Sequence, residues 1–184
     1  MAESAQPVAE RPADTAAVDP INPDARIGHI HLNVTDLDRA VAFYHTVFGF
    51  QVSVRYGAYQ AFLTAGTYHH LIGLRAVPSQ GAPAPADGPG LHHYGLLFPS
   101  RQALAQAVRR VCAAGVPIKD TADYGVGLAV YVDDPDGNNI ELCWDRPAAQ
   151  WPRRPDGTLD NRPRPLHLED LVSAEAGTAA TRPQ

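Results

Sequence analysis

The chain has 184 residues, 45% of them apolar, which suffices for one packed domain or two small halves sharing a core, and its formal net charge is −5 at pH 7. That charge gives no electrostatic reason to expect nucleic acid or an acidic membrane surface as a partner. Two cysteines, Cys112 and Cys143, are too few for a disulfide framework. No apolar run approaches the roughly 20 residues of a membrane span, and the start lacks the basic and apolar regions of a signal peptide. The expectation is a cytoplasmic protein.

Residues 1–25 are rich in Ala, Pro, Asp and Glu without periodicity, which predicts a disordered arm. Ile27 to Val34 alternates, with Ile30, Leu32 and Val34 on one face and His29, His31 and Asn33 on the other. Thr35 with Asp38 reads as a capping box, after which Leu37, Val41, Tyr44 and Phe48 recur at helical spacing up to Gly49. Gln51–Tyr56, Ala58–Leu63 and His69–Ala76 are β-branched or aromatic runs separated by glycine, hence three strands. Residues 78–90, rich in Pro, Gly and Ala, read as an exposed linker.

The pattern then restarts. Leu91–Phe98 predicts a strand, and Pro99-Ser100 opens a helix through Ala114 with Gly115 as its stop. Strands follow near Pro117–Thr121, Val126–Val132 and Asn139–Trp144. The last two flank Asp134-Pro135-Asp136-Gly137-Asn138, whose residue types build a tight hairpin turn. The order β-α-β-β-β therefore occurs twice, as module one over 26–77 and module two over 91–147. The predicted fold is α+β, with two βαβββ modules. Residues 148–184 form a Pro/Arg-rich tail in which Leu166–Ala176 can make one short helix.

On the final strand Glu141 stands between apolar neighbours, where an ionised carboxylate needs a cation or a basic partner. His29 and His93 lie at equivalent points of the repeat, 64 residues apart. A lone strand histidine is more commonly a hydrogen-bonded residue than a ligand; recurrence at matching places is what points to a metal. Two imidazoles and one carboxylate make the facial set that leaves positions open on iron(II). His31 shares a face with His29, and His92 neighbours His93, so each ligand has a competitor. Cys112, in an Ala-rich helix, reads as packing, and Cys143 shares the Glu141 face.

The segments HIHLNVTDLDRAVAFYHTVFGF, LHHYGLLFPS and YVDDPDGNNIELCWDRP resemble the three blocks of the vicinal oxygen chelate superfamily over residues 27 to 147. That superfamily includes glyoxalases, fosfomycin-resistance proteins, epimerases and extradiol ring-cleaving dioxygenases. The resemblance implies a half-open mixed β-barrel around a metal site, with the helices outside. It maps the metal ligands onto His29, His93 and Glu141. LHHYGLLFPSRQALA, ELCWDRPAAQW, YHHLIGL and PLHLEDL resemble the catechol-2,3-dioxygenase-like branch, although a third histidine expected in YHHLIGL is Leu71. Members of the glyoxalase type carry a fourth ligand, a carboxylate, on this strand; here Gly73 stands near its place.

The resemblance thus implies an extradiol dioxygenase that opens the ring of a small catechol, such as a catecholic amino acid like L-DOPA, with O2 at Fe(II). A homodimer is the family's expectation. The dioxygenase signature is matched at Val130, Tyr131, Asp134, Pro135, Gly137 and Glu141, but its acid/base histidine falls on Tyr124. A phenol with a pKa near 10 is a poor base at neutral pH. His69, which alternation places on the Gly73 face, is the preferred substitute, with His70 and His92 as alternatives; Tyr131 would bond the substrate oxygen. Two other readings stay open: a non-redox lyase, isomerase or glyoxalase-like enzyme using Mn2+, Ni2+ or Zn2+, and a module that binds a small molecule.

Overall fold

A computed structural model describes residues 19–77 and 89–173 of the chain. Most of the arm, the linker over 78–88 and residues 174–184 lie outside the described residues. The first repeat runs β1 (Ile30–Val34), α1 (Leu37–Phe43), β2 (Gln51–Tyr56), β3 (Gln60–Thr64) and β4 (Ile72–Ala76). The second runs β5 (Tyr94–Leu97), α2 (Arg101–Ala113), β6 (Ile118–Asp123), β7 (Gly127–Asp133) and β8 (Asn139–Asp145). The tail adds β9 (Arg164–Pro165) and α3 (Leu168–Ser173).

The first sheet has the order β1-β4-β3-β2 and the second β5-β8-β7-β6-β9. In each, the first strand of the module pairs in parallel with its last and the other pairs are antiparallel, so both sheets are mixed. The architecture is α+β, and the two sheets are not closed into a barrel.

Helix α1 starts differently from the sequence expectation. Its N-cap is Asp36, whose carboxylate accepts from the Arg39 N–H at 2.9 Å. Thr35 instead turns outward, and its N–H and hydroxyl donate to Asp136 at 2.9 and 2.5 Å. Beyond Phe43 the helix widens into a π-helical turn, Tyr44–Phe48, and Gly49 ends it at φ +82°, a conformation glycine adopts without a Cβ penalty. Ser100 caps α2, accepting from the Ala103 N–H at 3.0 Å.

One apolar core joins the repeats. Leu32, Val34, Ile72 and Leu74 of the first sheet and Val130, Val132, Ile140 and Leu142 of the second are all buried in it, together with Leu104, Val108 and Val111 of α2. Alternation along each strand leaves the opposite face of each sheet for polar side chains. Helix α3 sits on α2: Leu171 is fully buried, and the Arg101 guanidinium donates to the Asp170 carbonyl at 2.7 Å. Cys112, read as packing, is exposed. Among the described residues no helix is long and apolar enough to cross a membrane.

Candidate metal and substrate site

The register of the two sheets places two equivalent rows of side chains on their open faces. In the first sheet His31 (β1) stands beside Gly73 (β4), which stands beside Phe62 (β3). In the second, Gly95 (β5) stands beside Glu141 (β8), which stands beside Tyr131 (β7). Each row therefore contains one glycine next to a large polar side chain, and the glycine sits on opposite strands in the two halves. A Cβ added to Gly73 would lie 2.6 Å from His31 Nε2, so the imidazole rests directly on that backbone. A Cβ at Gly95 would meet Glu141 Oε2 only at 3.8 Å.

His93, which stands just ahead of β5 rather than on the strand, comes to Glu141 of β8, Nε2 to Oε2, at 3.2 Å. The other carboxylate oxygen of Glu141 accepts from the Tyr131 hydroxyl at 3.1 Å, and Tyr131 is in turn 3.1 Å from the Tyr124 hydroxyl. Burial, then the hydrogen bond with Tyr124 and the negative charge of Glu141, push the Tyr131 phenol well above its usual range. It stays protonated at neutral pH and acts as a donor. His93 Nδ1 is 2.8 Å from His92 Nδ1. If His93 carries its proton there, Nε2 presents a lone pair on the Glu141 side.

In the first sheet His29, His31 and His70 converge. Their ligand atoms all lie within 4.8 Å of one another, so this trio can hold a metal ion. Among the described residues it is this trio, and not His29 with His93 and Glu141, that meets that separation. His29 and His93 nevertheless line one cavity of about 590 Å³, whose walls include Phe48, Phe50, Leu71, Leu96 and Phe98. That apolar lining with polar groups at its margin is the usual make-up of a small-molecule pocket.

The acid/base candidates are distributed as follows. Strand β4 begins at Ile72, so the alternation that aimed His69 toward the Gly73 face does not extend back to it. His69 is exposed and its ring stacks near Tyr68, 4.3 Å between centroids. His70 joins His29 and His31 instead. Burial, then the neighbouring imidazoles of His29, His69 and His31, lower its pKa and keep its ring neutral. Tyr124 is bonded to Tyr131, in the position the signature gives to a histidine.

Sequence reasoning missed the buried group that aligns the two repeats. Tyr44, Tyr94 and Asp134 form a hydrogen-bonded set in the core, and burial pushes both phenols above their usual range. Asp134 also accepts from the N–H groups of Asp136 and Asn138 at 2.9 and 2.8 Å, which shapes the hairpin turn. Its place at the head of the Asp-Pro-x-Gly turn was the available signal.

The model for the Glyoxalase/Bleomycin resistance protein/Dioxygenase superfamily matches residues 26–142. The catechol-2,3-dioxygenase of Bacillus subtilis (strain 168) is 36% identical over 157 residues, covering 85% of this chain and 54% of that protein. Biphenyl-2,3-diol 1,2-dioxygenase 3 of Rhodococcus globerulus is 31% identical over 119 residues, covering 64% of this chain and 62% of that protein. The chain thus spans little more than half the length of these relatives. Among solved structures, a lactoylglutathione lyase from Agrobacterium tumefaciens superposes with a TM-score of 0.54 at 25% identity, covering 67% of this chain and 96% of that one. A glyoxylase/bleomycin resistance protein/dioxygenase domain from Frankia sp. EAN1pec gives 0.57 at 25% identity, covering 66% and 98%.

Proposed function

Since the chain belongs to the Glyoxalase/Bleomycin resistance protein/Dioxygenase superfamily, we propose that it is an extradiol dioxygenase that opens the ring of a small catechol with O2. The observation that carries this reading is the approach of His93 Nε2 and Glu141 Oε2 to 3.2 Å beside a cavity that His29 also lines. Two imidazoles and a carboxylate are the donor set suited to Fe(II), and His93 with Glu141 already brings two of the three donors together. His93 and Glu141 would hold it, with His29 as the third ligand. The bound iron supplies the redox chemistry between catechol and O2 that no side chain provides.

The remaining work falls to the chain's own groups. Tyr131, kept protonated, holds one oxygen of Glu141 and so fixes the orientation of the carboxylate. Tyr124 holds Tyr131 in turn. Tyr131, held protonated, does not serve as the base, and an imidazole takes the substrate proton; His70, neutral and beside His29, is better placed than His69. The cavity walls of Phe48, Phe50, Leu96 and Phe98 suit an aromatic ring. A catecholic amino acid such as L-DOPA is one substrate of the right kind, and a cytoplasmic homodimer is the form in which we expect the protein to act.

Protein purified without air, loaded with Fe(II) and mixed with catechols in an oxygen electrode tests the reading. Ring opening gives a yellow product and one O2 consumed per product. The similarity to the lactoylglutathione lyase favours one rival, a non-redox lyase or isomerase working with Mn2+, Ni2+ or Zn2+. Turnover without oxygen uptake would establish that rival and reject ring cleavage.

A further inference from the structure

We propose that His29, His31 and His70 form an all-imidazole site for a divalent transition-metal ion on the open face of the first sheet, separate from the His93–Glu141 pair. The three rings are packed with centroids 5.2 Å (His29–His31), 4.4 Å (His29–His70) and 5.6 Å (His31–His70) apart. Among the described residues no hydrogen bond joins them, so a polar network does not account for their gathering. Instead their ligand atoms gather, all within 4.8 Å of one another.

His70 supplies an independent sign. Its Nδ1 is 2.6 Å from His69 Nδ1, whereas its Nε2 is shut off from solvent and has no hydrogen-bond partner. Folded proteins rarely leave such an atom unsatisfied, and metal coordination is one role that accounts for it. With the shared proton on Nδ1, Nε2 offers its lone pair into the cluster, and His69 orients the ring as outer-shell partners of metal-bound histidines do. His31 is held from below: Gly73 has no Cβ, and the imidazole occupies the space one would fill. Phe62 walls the site, its ring 4.8 Å from that of His70 and 5.6 Å from that of His31.

Three imidazoles with no carboxylate suit Zn2+, Co2+, Ni2+ or Cu2+, and they are poor ligands for Mg2+ or Ca2+, which take oxygen. His29 belongs both to this cluster and to the ligand set proposed above for iron. An ion here therefore engages both His29, which the iron site needs, and His70, proposed above as the proton acceptor, and these two residues link the two readings.

The test uses the full chain carrying Glu141→Ala, which disables the other donor set, titrated with Co2+ and followed by visible absorption and by total metal content. One equivalent should bind with the absorption of nitrogen-ligated cobalt. Adding His70→Gln or His31→Gln should weaken binding at least tenfold. Circular dichroism verifies that each variant is folded. X-ray absorption of the unsubstituted chain loaded with Co2+ gives a check free of substitutions, since three imidazoles and two imidazoles with a carboxylate differ in their scattering. No binding to the Glu141→Ala chain, or binding unchanged by both histidine substitutions, overturns the proposal. Oxygen uptake is scored separately: cobalt bound through three imidazoles in a protein that cleaves no catechol would sink the dioxygenase reading alone.

Discussion

The hydroxyl of Tyr44 donates to Oδ2 of Asp134 at 2.9 Å, a contact between residues 90 positions apart that ties the first helix to the turn of the last hairpin. That commits the one proton of Tyr44, so Tyr94 is the donor in the 2.7 Å contact between the two phenols. Tyr44→Phe removes both interactions at once and leaves Tyr94 without its acceptor in the core. The variant should lose about 1–3 kcal/mol of unfolding free energy, read from urea denaturation. Its shape should be kept, because Asp134 retains the donors of Asp136 and Asn138.

Tyr131→Phe keeps the ring and deletes the hydroxyl that holds Glu141. Iron content should change little, since Oε2 and His93 are untouched. Catechol-dependent oxygen uptake should fall about 10²-fold, in the range of a lost proton donor or positioning bond. Glu141→Ala should instead lose the iron itself, measured as iron per chain after gel filtration. Equal loss of iron in both variants would place Tyr131 in a purely structural role.

Acid stability should report on Asp123. Its carboxylate receives both terminal nitrogens of Arg146, at 2.7 and 2.8 Å, and this pairing holds its pKa below the ordinary value of 3.8. A depressed folded-state pKa means the contribution is complete above the unfolded value and disappears as pH falls through the folded one. Arg146→Gln should therefore destabilise the protein at neutral pH and flatten its loss of stability below about pH 4. Both groups are partly open to solvent, so the effect should shrink in high salt. Unfolding curves from pH 7 to pH 2 at two salt concentrations check it.

The two cysteines should separate by reactivity. Cys143 is half-buried beside Glu141, and burial followed by the charges of Glu141 and Asp145 pushes its thiol up to about 12. The thiolate is the reactive form, so Cys143 should be alkylated slowly at pH 8. Cys112 is exposed. Iodoacetamide labelling followed by peptide mass analysis should find Cys112 modified first.

The duplicated βαβββ order was legible because alternation along strands and helical spacing in α1 and α2 are local signals, each contained in a dozen residues. The approach of His93 to Glu141 was legible for a related reason, since both occupy fixed places in a repeat whose first and last strands pair. The gathering of His29, His31 and His70 was not. His31 was only a competitor for His29, and His70 only one of several proton acceptors. What unites them is the parallel pairing of β1 with β4 and the chain path that enters β4 at Ile72, both set by long-range contacts. The open arrangement of the two sheets likewise depends on how the halves dock. That docking rests on Tyr44, Tyr94, Asp134 and Asp136, whose partners lie 50 to 101 positions away.

The seat of His31 on Gly73 constrains how such a fold can drift toward other ligand sets. No side chain fits at position 73 while the imidazole occupies that space. A descendant that recruited a carboxylate on β4 would have to displace the His31 ring, whose outer edge is what a Cβ at position 73 meets. Positions 31 and 73 thus share one space, and a change at either bears directly on the other.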